Sequence, residues 1–245
     1  FLDELIYAEK PQSLIFRDVF LKAFKQMPFE FTSCEAIQQK DDFVRFMNKA
    51  ENHFNNIKRV VTADFPKMGI DIRACILEPS FFCEKYGFQG RLDLLQPAQN
   101  ELDMHHIVEV KSGALPYPAT NHSRISTNHE VQTIIYRMII ETAFQTDNRH
   151  IFPAILYSAA DIPETNMRMA PPSRAMEKII LNLRNRIVAM EHSLFEEGEE
   201  GVVHYLQQWL DIANYPGAPQ FIEEQLVAYN RQLNDLSDLE SHYFV

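Results

Sequence analysis

Gly90-Arg91-Leu92-Asp93-Leu94 is followed by His106-Ile107-Val108-Glu109-Val110-Lys111-Ser112-Gly113, and then by Gln132 and Tyr136, four residues apart. Within this stretch, residues 88–95 alternate as a strand does, with Phe88, Leu92 and Leu94 on one face and Arg91, Asp93 and Leu95 on the other. Residues 105–111 predict a second strand, in which Val108 and Val110 oppose Ile107, Glu109 and Lys111. The polar run 97–103, with Pro97, Asn100 and Asp103, suits a loop joining two adjacent antiparallel strands, which brings Asp93 beside Glu109. The pattern D…ExK then places two carboxylates and an ammonium together. Two hard oxygen ligands suit Mg²⁺ or Mn²⁺ better than zinc. A lysine beside them can reach a water or a phosphate. Taken alone, an ExK on a strand also fits a solvated cross-strand ion pair.

Around this centre the chain reads as alternating elements. Residues 2–26 read as mostly helix with a break at Pro11, and a turn is expected at Pro28. A helix over 41–61 carries Phe43, Met47, Ala50, Phe54, Ile57 and Val61 as its apolar stripe, with His53 at the edge. Residues 69–78 predict a strand, and 115–128 a loop long enough to act as a substrate flap. Asn128 is the expected cap of a helix bearing Gln132 and Tyr136 on one face, with Val131, Ile134, Ile135, Met138 and Ile139 on its core side. A strand over 151–158, an irregular Pro-containing stretch over 161–173 and a helix over 174–194 follow. Gly198 and Gly201 break that helix, and two acidic helices near 202–213 and 220–233 close the chain.

Glu78-Pro79, the run from Tyr86 to Asp93, Glu109-Val110-Lys111-Ser112-Gly113 and Gln132-x-x-x-Tyr136 occur in the order found in the RecB-like branch of the PD-(D/E)XK nucleases. The chain resembles that family over roughly residues 50–160. The resemblance implies an α/β fold: a restriction-endonuclease-like mixed β-sheet flanked by helices, here with a helical C-terminal extension. It also implies that Asp93, Glu109 and the Val110 carbonyl hold Mg²⁺ or Mn²⁺, and that Lys111 positions the attacking water. His53 is the candidate for the upstream histidine that the family often adds as a metal ligand. Gln132 and Tyr136 would contact the DNA backbone or support the lysine. Ser112 and Arg124 complete the candidate substrate-binding set, and His122 and His129 are further groups able to touch phosphate. Several relatives carry an iron–sulfur cluster. The three cysteines here, Cys34, Cys75 and Cys83, all precede Glu109 without a CxxC, so no cluster is expected.

The chain has 245 residues, 46% of them hydrophobic, enough for one full core with additions. The expected division is a nuclease-like core with N-terminal helices over 1–190 and an acidic helical extension over 191–245, packed on that core. A net charge of −11 looks adverse for a DNA-binding protein. Eleven of the 34 acids, but one of the 23 Lys and Arg residues, lie from Glu191 onward, which leaves residues 1–190 nearly neutral. Arg124, Arg137, Arg149, Arg168, Arg174, Lys178, Arg184 and Arg186 are candidates for a basic channel. The sparse cysteines fit a reducing compartment, and no stretch has the composition of a membrane span or a signal peptide, so a cytoplasmic location is expected. The chain starts at Phe1 without a Met, which suggests a segment of a longer protein. The expected activity is metal-dependent hydrolysis of DNA, at single strands or strand ends, within a repair or helicase protein and with a helicase module as possible partner. The alternative is a catalytically silent nuclease-like scaffold that binds DNA or a partner.

Overall fold

A computed structural model describes residues 1–100, 102–118, 120–121, 123–160, 165–209, 213, 216–217 and 219–234, excluding the side chains of residues 199, 202–209 and 232–234. It divides into two compact units, Phe1–Ile180 and Leu181–Val245. The first is a mixed α/β unit whose five-stranded sheet is flanked by helices.

Its N-terminal part is helical: α1 (Leu2–Ile6), α2 (Phe16–Gln26), α3 (Pro28–Ser33) and α4 (Lys40–Arg59). Pro28 opens α3 where a turn was expected, since a proline at the first helical position gives up an amide that has no partner there anyway. After α4 the chain passes through a π-helical turn at Val60–Asp64 into the short α5 (Phe65–Lys67). Strands β1 (Ile76–Leu77), β4 (Leu94–Gln96), β5 (His105–Lys111), β6 (Ile151–Tyr157) and β7 (Met167–Met169) form the main sheet, in that spatial order. β4 runs antiparallel to β1 and β5, β5 and β6 are parallel, and β7 is antiparallel to β6. Strands β2 (Ser80–Cys83) and β3 (Phe88–Arg91) form a separate antiparallel hairpin. Helix α6 (Thr127–Ala143) lies in the connection from β5 to β6, since parallel neighbours need a crossover.

The alternation of β5 assigns the two faces. Val108 and Val110 meet the N-terminal helices, in a core with Phe16, Phe20, Phe54, Ile57, Leu94 and Leu156. Ile107 faces the other way, onto Ile139 and Ile140 of α6 and the hairpin residues Cys83 and Phe88. Of the six residues of the expected stripe, Ala50, Phe54 and Ile57 in α4 and Val61 in the π-helical turn after it are buried, while Phe43 near the start of α4 is exposed.

Four sequence expectations are corrected. Residues 69–78 are not a continuous strand: the Asp71 carboxylate accepts the Arg73 amide and winds Ile72–Ala74 into a 3-10 turn, which leaves only Ile76–Leu77 to pair. Residues 88–95 are not one strand either. The Leu92 amide bonds the Pro79 carbonyl and the Glu78 amide bonds the Asp93 carbonyl, so pairing passes from the hairpin to the main sheet at Leu92–Asp93. Leu92 and Leu94, expected on one face, consequently lie in different cores. The N-cap of α6 is Ser126, and Asn128 lies within the first turn. Finally, β7 forms inside the stretch read as irregular, of which residues 161–164 lie outside the described residues.

In the second unit, α7 (Arg174–Trp209, begun in the first unit at Arg174) continues from Leu181 and is interrupted at Gly198, and α8 (Gln220–Asn234) follows. Gly198 has φ 66° and ψ −154°, a conformation essentially reserved for glycine, which accounts for the break read at this position. The helix expected near 202–213 carries the apolar residues Val202, Val203, Tyr205, Leu206, Trp209 and Leu210, which lie outside the described side chains. Among the described residues no helix is long and apolar enough to cross a membrane.

Phe54 is 1% exposed and meets the rings of Phe1 and Phe16 at centroid distances of 5.7 and 6.0 Å. Phe54→Ala should cost about 3–5 kcal/mol of stability, read from urea unfolding. A loss below about 1 kcal/mol would mean that the site refills without a cavity.

Candidate functional site

Leu94 pairs with Val108 across β4 and β5, so the next positions outward set Asp93 opposite Glu109. The expected juxtaposition is therefore present, although Asp93 lies in the two-residue gap between β3 and β4 rather than inside a strand. Asp93 Oδ2 accepts the Val110 amide at 2.7 Å. The residue borders an open cleft of about 530 Å³, lined also by Leu2, Asp3, Leu77, Glu78 and Val110. Glu78 holds a φ of +50°, a strained value for a non-glycine residue. Its side chain pairs with Arg91 at 3.2 Å.

Glu109 is 3% exposed. Its Oε1 accepts from Lys111 Nζ at 2.8 Å and from Gln132 Nε2 at 2.6 Å. Lys111 Nζ also donates to Gln132 Oε1 at 2.7 Å, so the amide of Gln132 joins both ends of the ion pair. Gln132 Nε2 lies 2.9 Å from the Tyr136 hydroxyl, which donates to the Arg91 carbonyl at 2.8 Å. Gln132 and Tyr136, one turn apart on α6, thus lock the end of β5 to the end of β3. Among the described residues Glu109 Oε2, which is buried, makes no hydrogen bond of ordinary length and angle. Burial raises the Glu109 pKa above its ordinary value, and the neighbouring Asp93 charge adds to this. The Lys111 hydrogen bond and, more weakly, the Asp93 main chain oppose the rise. Burial also pushes the Tyr136 phenol upward.

His53 is brought to a different place. Its helix packs on the sheet face of Val108 and Leu156, whereas the Lys111 and Glu109 side chains turn toward α6. His53 Nδ1 lies 2.9 Å from Ser158 Oγ, and Ser158 Oγ donates to the Lys111 carbonyl at 3.2 Å. Burial, reinforced by Lys49, lowers the His53 pKa. Among the described residues no three His, Cys, Asp or Glu side chains gather as a metal-binding group. The structure therefore does not join His53 to the Asp93–Glu109 pair. What remains for a hard cation is two carboxylates with the Val110 main chain beside them. Ser112 follows Lys111 directly and is exposed, as is the Arg124 side chain.

Several residues of the expected basic channel are placed elsewhere. Arg137 and Arg168 are each 2% exposed. Arg137 pairs with Glu177 near the start of α7. Arg168 donates to the carbonyls of Arg124 and Asn121 and stacks its guanidinium 4.9 Å from the Tyr157 ring centroid. Arg149 is tied to Asp147. His105 and His106, at the start of the predicted 105–111 strand, are buried within β5, and burial lowers both pKa values. His122 lies outside the described residues.

Asn56 is a structural residue that sequence reading passed over. It is buried, and its Nδ2 donates to the carbonyls of Ser158 at 2.8 Å and Ala160 at 2.9 Å, fixing the chain just beyond β6. The available signal was its position between Phe54 and Ile57, inside the apolar stripe.

No protein-family model matches the chain, and no curated protein matches it.

Two outcomes test this geometry. A Cβ on Gly90 would lie 2.8 Å from Tyr136 Cε1, and that ring is pinned by its hydroxyl. Gly90→Ala should destabilise by about 1–3 kcal/mol, measured by chemical denaturation, and a neutral result would show that Tyr136 is free to move. For Glu109, a pKa raised by folding contributes stability fully present below the unfolded value of about 4.3 and lost as pH rises through the folded value. Glu109→Gln, in chelator, should therefore gain stability relative to the parent chain as pH rises from about 4 toward 8. Melting midpoints that keep a constant difference across that range would exclude a shifted Glu109.

Proposed function

We propose that this chain is a metal-dependent deoxyribonuclease domain of the RecB-like PD-(D/E)XK branch, with a restriction-endonuclease-like fold. Its substrate would be single-stranded DNA or strand ends, within a DNA repair or helicase protein. The observation that carries this reading is the convergence of Asp93, Glu109, Lys111 and Gln132 at the end of β5, with one buried Glu109 oxygen unpartnered. A buried carboxylate oxygen without a donor, on a residue that the sheet register sets opposite a second carboxylate, fits a hard divalent cation, which would neutralise both.

Asp93, Glu109 and the Val110 carbonyl would hold Mg²⁺ or Mn²⁺, and such an ion supplies Lewis-acid polarisation of phosphate and a more acidic water. Lys111, oriented by Gln132 Oε1, places an ammonium where negative charge develops on the phosphate. Glu109 holds that ammonium in place. Ser112, which follows Lys111, and Arg124, both exposed, would be donors for the flanking backbone. A cytoplasmic setting and a helicase partner belong to the same proposal.

The silent-scaffold alternative has one observation in its favour: Lys111 is already bonded on two sides, to Glu109 and Gln132. End-labelled single- and double-stranded DNA, incubated with Mg²⁺, Mn²⁺ or chelator, separates the two. Cutting should require the cation, and Lys111→Ala should lower the rate about 10²–10³-fold with a much smaller loss of DNA affinity. Lys111→Arg should not rescue, because a planar fork does not replace a compact ammonium. Binding without cutting under every condition would establish the scaffold.

A further inference from the structure

We infer that His129 is a substrate-positioning residue, a neutral imidazole that donates its Nε2–H to a phosphate oxygen of the strand lying beside Lys111. This deepens the nuclease proposal and rests on it.

His129 lies in the first turn of α6, three residues before Gln132, so the two side chains share a face of the helix. Gln132 reaches Lys111, and Tyr157, the partner of His129, sits opposite Lys111 in the β5–β6 register. His129 Nδ1 lies 2.9 Å from the Tyr157 hydroxyl oxygen. The same oxygen accepts the Ser126 amide at 3.4 Å, and in the tautomer that the inference requires the hydroxyl donates its hydrogen to Nδ1. With Nδ1 accepting, the ring hydrogen belongs to Nε2. Burial and the nearby Lys111 charge both hold the His129 pKa below its ordinary value, which keeps the ring neutral at pH 7.

The support under this donor is rigid. Tyr157 is fully buried, Arg168 stacks on its ring, and Arg168 also holds the carbonyls of Asn121 and Arg124 in the loop before α6. Purely structural duty would use only Nδ1. Among the described residues Nε2 has no hydrogen-bond partner, and the ring is only partly buried. The charge that acts on the ring is that of Lys111, itself paired with Glu109, and Glu130 is the neighbouring acid on the helix. A phosphodiester oxygen is the chemistry that a neutral donor beside the Lys111 ammonium recognises.

Two substitutions divide the roles of the two nitrogens. Glutamine can place an amide N–H where Nε2–H stands, and asparagine can place an acceptor where Nδ1 stands. With a single-stranded oligonucleotide and Mn²⁺, His129→Asn should raise KM and the dissociation constant about tenfold or more, with little change in kcat. His129→Gln should stay near the parent. The Nε2 ¹⁵N signal of His129 should also move when the oligonucleotide is added. The reverse order, with Asn like the parent and Gln impaired, assigns His129 to holding Tyr157 and overturns the inference. Two variants that both match the parent overturn it as well, as do two that both lose affinity together with a lowered melting midpoint. If the parent neither binds nor cuts the oligonucleotide, the nuclease proposal itself fails and this inference falls with it.

Discussion

Taking the Glu109 carboxylate out of water costs several kcal/mol unless its oxygens are met, and the surroundings of β5 are organised around meeting it. Lys111 and Gln132 supply donors to one oxygen. Gln132 must then be presented by a helix at the right height, and Tyr136 fixes that helix against the Arg91 carbonyl. The close approach of Gly90 to the Tyr136 ring follows from the same requirement, since any side chain at residue 90 would push the ring away. Among the described residues the second oxygen remains without a donor. A network satisfied on one side and open on the other is costly for a purely structural element. That asymmetry is the physical basis for reading the site as functional.

Sequence reading was most successful where periodicity and burial coincide. β5 carries two clean faces, and the stripe of α4 is mostly buried, so both elements were legible from spacing alone. The Asp93–Glu109 juxtaposition was legible for the right reason, an antiparallel pair joined by a polar loop. The failures occur where a local hydrogen bond overrides alternation. The Asp71 side chain converts apparent strand into a turn, and the exchange of pairing at Leu92–Asp93 turns one expected strand into two. His53 shows a third kind of miss. Its position at the edge of an apolar stripe was read correctly, but the sheet face that its helix covers was not encoded in the local pattern.

Charge was the least transparent property. Arg137 and Arg168 look like surface cations in a list of basic residues, and both are buried. Each is held by a different device: Arg137 by a carboxylate from α7, Arg168 by main-chain carbonyls and an aromatic face. Guanidinium groups are suited to this because their planar forks satisfy several acceptors at once. Neither residue contributes to an exposed basic stripe, so attraction for a polyanion would fall to fewer groups close to the site than the composition implies.

The crossover between β5 and β6 has a kinetic consequence. Lys111 ends one strand, Tyr157 ends its parallel neighbour, and Gln132, Tyr136 and His129 all belong to the excursion between them. Parallel pairing closes a long loop before its contacts repay the lost chain entropy, so it tends to form slowly. The groups of the candidate site thus come together only when that closure is complete. A partly folded chain has the N-terminal helices within local reach of one another, but not the polar cluster. Competence of the site is in this way tied to one late topological event, and a molecule halted before it would carry the same residues without the arrangement.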